Sequence, residues 1–291
     1  MNTKEIFIKA KKSKDRPDLF LVYVIRIFLI VLVGINLYPI LFTFFTSLKT
    51  TEDFYGNIWS LPDRLFLNNY IDAFITGYIG EYFINSLAIL VITIISVTLF
   101  GTLAAYAVAR LKIPFVEIVV AVLITIQILP TESMIMPLYI LMSKLKLIGI
   151  IYLPISLAYT GWLLPGTIVI LKNFILTIPS ELLESARMDG SNELHTMYGI
   201  VLPLTGGAIA TCTVLNFCFI WGELMWAQIA TLTVKSGIPL TVGLINFQGQ
   251  YTTNWGLLTA AICMILIPLY IMFLFMQKYF VQGLTAGAVK G

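Results

Sequence analysis

The chain has 291 residues, of which 59% are hydrophobic and 11% charged, with a formal net charge of +3 and a mean hydropathy of +0.93. So apolar a composition cannot be sequestered in the interior of a water-soluble domain, which excludes the soluble classes and makes a bilayer the solvent. The small positive excess lies mainly in the N-terminal tail and favours anionic lipid headgroups over nucleic acid.

Residues 1–26 read as a basic tail. A helix needs about 20 mostly apolar residues to cross a bilayer, and six runs meet that length, at roughly 27–45, 85–109, 115–142, 150–171, 204–232 and 255–280. Lipid offers no partners to an open backbone, and barrel strands would alternate over about 10 residues, so the runs are expected to be helices. The fold class is therefore all-α, a polytopic membrane protein with six transmembrane helices. The first run is longer than a secretory signal core and leaves through the bulky Phe44 and Phe45, so it is expected to be retained as a spanning helix.

An even number of crossings puts both termini on one side. That side collects thirteen of the Lys and Arg residues, seven of them in the tail, against five on the other (Lys49, Arg64, Lys144, Lys146 and Lys235), so both ends are expected to be cytosolic. Residues 46–82 form a long outer loop that mixes acids with Phe54, Tyr55, Trp59, Phe66 and Tyr70. It either caps helix ends or presents a docking surface to an extracytoplasmic partner. Residues 83–280 are expected to form the membrane core, with a cytosolic loop at 177–203, and 281–291 a cytosolic C-terminal tail.

The loop is the most informative segment. Pro179 and Ser180 mark a helix start, with Ser180 as a possible cap and Glu181 in the first turn, where the helix dipole favours an acid. Leu182, Leu183 and Ala186 make an apolar stripe, Gly190 suits a left-handed stop, and Ser191 can open a second short helix that Pro203 ends. Ala186 and Gly190, four apart, give a small face that another protein can approach. Glu184, Arg187 and Asp189 surround it with directional charge.

These residues resemble a known family, the membrane permeases of binding-protein-dependent ABC importers. The family pattern is Glu-Ala-Ala, three residues, Gly, nine residues, Ile, one residue, Leu-Pro. It is met here by Glu184, Ser185, Ala186, Gly190, Ile200, Leu202 and Pro203, with Ser185 the one departure. Further likeness lies in TSLK (46–49), NNY (68–70), Asn85-Ser86, AAYAVARLKIP (104–114) and the closing QKYFVQGLTAGAVKG. The resemblance is to the carbohydrate-uptake branch and to the smaller, six-helix permease of the maltose-type pair. It implies the type I importer permease fold, a second permease subunit, a cytosolic ATPase dimer that grips 184–190, and a solute-binding protein outside. The chain has no G-x-x-x-x-G-K-[ST] phosphate loop, so ATP and Mg belong to the partner ATPase and no cofactor is expected on this chain.

Ionisable groups inside spans mark pathways or internal pairs. Glu223, flanked by Trp221 and Trp226 and one helical stretch from Asn216, forms an aromatic and polar spot suited to a sugar. The alternative is that it stabilises packing. Glu132, after Pro130, reads as a kinked or interfacial position. Cys212, Cys218 and Cys263 lack metal spacing and read as small core residues, and the single His195 makes neither a metal site nor a catalytic pair. The expected cargo is a sugar or oligosaccharide. A glycerol phosphate, a polyol or a uronate oligosaccharide would use the same scaffold, and an ion-gradient-driven carrier is the alternative in another class.

Overall fold

The computed structural model describes residues 19–234, 236–247 and 253–288. The expectations resting on the tail up to Arg16, on Lys235 and on Lys290 lie outside those residues. Among the described residues there is no strand, and four helices are each long and apolar enough to span: α1 (Leu19–Ser47), α4 (Ile79–Arg110), α7 (Leu153–Ile175) and α14 (Trp255–Ala288). Two short helices, α2 (Thr51–Gly56) and α3 (Asn68–Ile75), lie between α1 and α4. α1 begins within the stretch read as tail, and the backbone of α14 continues well past residue 280.

The other two expected spans are broken. The third consists of α5 (Val116–Ile126) and, after a 3-10 turn at Thr131–Met134, α6 (Ile135–Lys144), the two lying 94° apart. Its single-helix reading at 115–142 is thus corrected. Pro130, held extended at φ −66° and ψ 124°, cannot continue a helix, and the exposed Glu132 sits at the corner. The fifth enters through a 75° bend and continues as α11 (Gly206–Gly222), then breaks again at Glu223 before α12 (Met225–Thr231).

α4 and α7 pack along one another, and two hydrophobic clusters lie along them. One holds Ile79, Ile89, Ile155, Tyr159, Ile220 and Trp226; the other holds Ala105, Tyr106, Leu171, Ile175, Val201 and Cys212. At the waist between them the buried Asn216 Nδ2 of α11 donates to Thr167 Oγ1 of α7 at 3.1 Å. Half of the apolar window of α7 is buried, against none of that of α1, which leaves most of α1 facing lipid or another subunit.

Three of the family-like motifs outside the loop, TSLK, NNY and Asn85-Ser86, act as anchors. Lys49, only 1% exposed, donates its ammonium to the carbonyls of Asn57 (3.0 Å) and Ile58 (3.2 Å) and to Ser60 Oγ (3.2 Å). Asn69 Nδ2 donates to the carbonyls of Ser47 and Lys49, and the Tyr70 hydroxyl pairs with Ser47 Oγ at 2.7 Å. The outer loop is therefore a folded pad pinned to the end of α1. Asn85 donates to the Ile238 carbonyl and Ser86 Oγ accepts from Leu240 N–H, which fastens the start of α13 (Leu240–Gly243) onto α4. Gly243 permits this contact, since a Cβ there would lie 2.1 Å from the Tyr82 ring.

Candidate functional site: an exposed elbow and a buried break

Helix α8 (Ser180–Met188) lies on the surface beneath the second cluster. Pro179, not Ser180, occupies its cap position, and no side chain caps it; Ser180 is the first helical residue. Leu183 (2% exposed) and Ala186 (9%) face the core, whereas Glu184, Ser185, Arg187 and Asp189 are exposed and Met188 is 88% exposed. Gly190 adopts φ +83°, with Ser191 N–H bonded to the Ala186 carbonyl and Gly190 N–H to that of Arg187. This pair is a Schellman stop. A Cβ at Gly190 would meet open space, so glycine is favoured there by backbone conformation and not by crowding.

Asn192, not Ser191, caps the second arm, its Oδ1 accepting from His195 N–H at 2.8 Å. That arm comprises α9 (Glu193–Thr196), a π-helical turn (Met197–Val201) and α10 (Leu202–Leu204), which contains Pro203. The bend into α11 follows at Thr205, whose buried hydroxyl donates to the Val201 carbonyl at 2.9 Å. The angle between the arms holds an open cleft of about 500 Å³, lined by Ala186, Asp189, Gly190, Asn192, His195 and Ile200 among others. Ala186 thus lies on the floor of a cleft rather than on an outer face. Arg187, grouped by the sequence with the outward charges, is exposed but engaged within the elbow: its Nε donates to Glu193 Oε1 at 2.9 Å. The Tyr106 hydroxyl of α4 donates to Glu193 Oε2 at 2.5 Å. The hydrogen bond from Tyr106, then that from Arg187, holds the Glu193 carboxyl below its usual range, and Glu193 raises Arg187 above its own.

At the other end of α11 the chain turns extended at Glu223 and restarts as α12. Both carboxylate oxygens of Glu223 are taken. Oε1 accepts from Trp226 N–H (2.7 Å); Oε2 accepts from Ala227 N–H (3.1 Å) and the Tyr159 hydroxyl (2.5 Å). Thr241 Oγ1 donates to the Glu223 carbonyl at 2.9 Å. The expectation that Trp221 and Trp226 line a polar spot is corrected: they are 7% and 0% exposed, and their indole N–H groups donate to the carbonyls of Ile265 and Pro154. A ring committed in this way packs the interior. Tyr159, the partner that sequence reasoning missed, sits sixty-four residues away, and only a structure could join the two.

The pattern of the binding-protein-dependent transport system inner membrane component matches residues 98–286. The chain is 34% identical over 247 residues to a melibiose/raffinose/stachyose import permease protein, MelC, of Bacillus subtilis (strain 168), covering 84% of this chain and 88% of that one. It is 32% identical over 262 residues to a trehalose transport system permease protein, SugB, of Mycobacterium tuberculosis (strain CDC 1551 / Oshkosh), covering 89% and 94%. Its fold is similar to a chain in the crystal structure of a bacterial ABC transporter involved in the import of the acidic polysaccharide alginate. That likeness has a TM-score of 0.81 at 22% identity and covers 91% of this chain and 98% of that one. With the matched region spanning well over half of the chain and both arms of the elbow, this protein belongs to the family of binding-protein-dependent transport system inner membrane components.

Proposed function

We propose that this chain is one half of a heterodimeric pore that imports a sugar or short oligosaccharide, driven by a cytosolic ATPase that grips the elbow. Family membership makes it a membrane-embedded permease component of an ABC importer, not an enzyme, working with an ATPase and a solute-binding protein. The observation that carries the reading is the elbow itself: a polar helix with an internally satisfied stop at Gly190, an open cleft in its angle and Met188 almost wholly exposed. A connector needs none of these. Glu184, Ser185, Ala186, Arg187, Asp189, Gly190, Ile200, Leu202 and Pro203 are assigned to coupling, and ATP and Mg to the partner.

The bias of Lys and Arg supports cytosolic termini. The unburied α1 supports contact with lipid and with a second, homologous permease. Sugar as cargo is supported by the names of the relatives, which import melibiose, raffinose, stachyose and trehalose. Asn216, Trp221, Glu223 and Trp226 then act behind the substrate route, as the frame of its wall.

The assembled importer in proteoliposomes, supplied with its binding protein and with melibiose or trehalose, tests this. Uptake should stop on ATP depletion and survive an uncoupler of ion gradients. Gly190→Trp adds a side chain at the stop and should leave the complex inserted while uncoupling hydrolysis from uptake. Normal uptake by that variant would remove the elbow from the coupling role.

A further inference from the structure

The elbow is tied to the membrane helices at one carboxylate. Glu193 opens the second arm, and its two oxygens face different elements: Oε1 accepts from Arg187 on the first arm at 2.9 Å and Oε2 from the Tyr106 hydroxyl on α4 at 2.5 Å. Among the described residues no other ion pair is found. Tyr106 is 4% exposed and belongs to the cluster that also holds Ile175 of α7 and Val201 of the elbow. Next to it, Arg110 at the end of α4 donates to the carbonyls of Ile175 and Ile178, where α7 leaves for the elbow. α4 therefore grips both the root of the elbow and its second arm.

We infer that Glu193 and Tyr106 are positioning residues for coupling, forming a tether that keeps the two arms at a fixed angle and passes displacement of the elbow to α4. This rests on the importer reading above. A helix–turn–helix joined to the spans only through flexible backbone would absorb a push by rotating at Gly190 and Thr205. A carboxylate bonded to both arms and to a spanning helix removes that freedom, because the elbow and α4 must then move as one body. Charge assistance makes such bonds short and directional. The depressed titration of Glu193 accords with a carboxylate kept ionised at neutral pH.

The decisive variant is Tyr106→Phe. It removes one oxygen from a buried ring that no ATPase can touch, so a change in coupling cannot come from a lost contact with the partner. In the reconstituted importer, sugar imported per ATP hydrolysed should fall about fivefold while complex assembly and basal hydrolysis hold, a loss in the range of measured coupling energies. Glu193→Gln, which keeps an acceptor for Tyr106 but loses the charge, should fall less.

A second readout uses spin labels at Glu181→Cys on α8 and Lys112→Cys just beyond α4, with Cys212, Cys218 and Cys263 replaced by Ala. Wild type should give one narrow distance that persists when vanadate traps the closed ATPase, and Tyr106→Phe should give a broadened one. A ratio within about twofold of wild type, or an unchanged narrow distance, would overturn the tether alone. Failure of the wild-type assembly to hydrolyse ATP would sink the importer reading and the tether with it.

Discussion

The two interruptions flanking α11 face the same chemical problem and meet it in opposite ways. A helix that stops inside or beside a membrane leaves backbone N–H and C=O groups without partners. At the break near Glu223 the chain answers internally: one carboxylate serves two N–H groups and a hydroxyl, Thr241 holds the Glu223 carbonyl, and Trp226 is sealed at 0% exposure. At the elbow the stop and the cap are also satisfied within the chain, but Met188, Leu194 and Tyr198 stand 88%, 61% and 50% exposed around an open cleft. The first arrangement is complete as it stands. The second is a surface whose apolar side chains await another protein.

That contrast can be broken most forcefully at Trp226. Trp226→Ala should cost about 3–5 kcal/mol, as truncation of a buried aromatic does, and should lower the thermal midpoint of the detergent-purified chain sharply. Met188→Ala at the elbow should stay within about 0.5 kcal/mol of wild type, as substitutions on open surface do. Equal losses at the two positions would erase the distinction.

Glu223→Ala comes next. It strands two N–H groups and the Tyr159 hydroxyl, each buried unsatisfied group being worth about 1–3 kcal/mol, whereas Glu223→Gln keeps one acceptor and should lose less. Thermal unfolding of both variants ranks them, and equal stability of Glu223→Ala and wild type would show that the carboxylate does not hold the break. The smallest effect is one of pH at the elbow. The Glu193 carboxyl lies below its ordinary range in the folded chain, so its contribution is fully present above the unfolded glutamate value. It is lost only as pH falls through the depressed folded one. Hydrogen exchange across 187–196 should therefore be slower in wild type than in Glu193→Gln at neutral pH, with the gap closing on acidification; equal exchange at neutral pH would show that the carboxylate does not hold the elbow.

The elbow was legible because its signals are local. Gly190 as a left-handed stop, Glu181 in a first turn and Pro203 near the bend are all written within a few residues of where they act, and the apolar runs announced the helices by length alone. What stayed hidden depends on distant partners or on competing caps. Asn192 and Ser191 are equally good caps on paper, and which is used depends on how the Gly190 turn closes. The 94° corner in the third span had its marks in Pro130 and Glu132, but the apolar residues on both sides outweighed them in a length-based reading. Trp221 and Trp226 looked like a sugar platform because Glu223 stands between them in sequence; their neighbours in space are Phe217, Phe83 and Trp162, which make them core. Lys49 gave no hint of burial, since two of its three partners are carbonyl groups that any residue could supply.

The bond between Asn216 and Thr167 has a mechanical consequence. It lies at the waist between two packed clusters, in a medium with no water to stand in for either partner, so separating the pair is far costlier than tilting about it. α7 and α11 are thereby joined at one point like the two halves of a clothes peg, so a force that spread them at one face of the membrane would bring them together at the other.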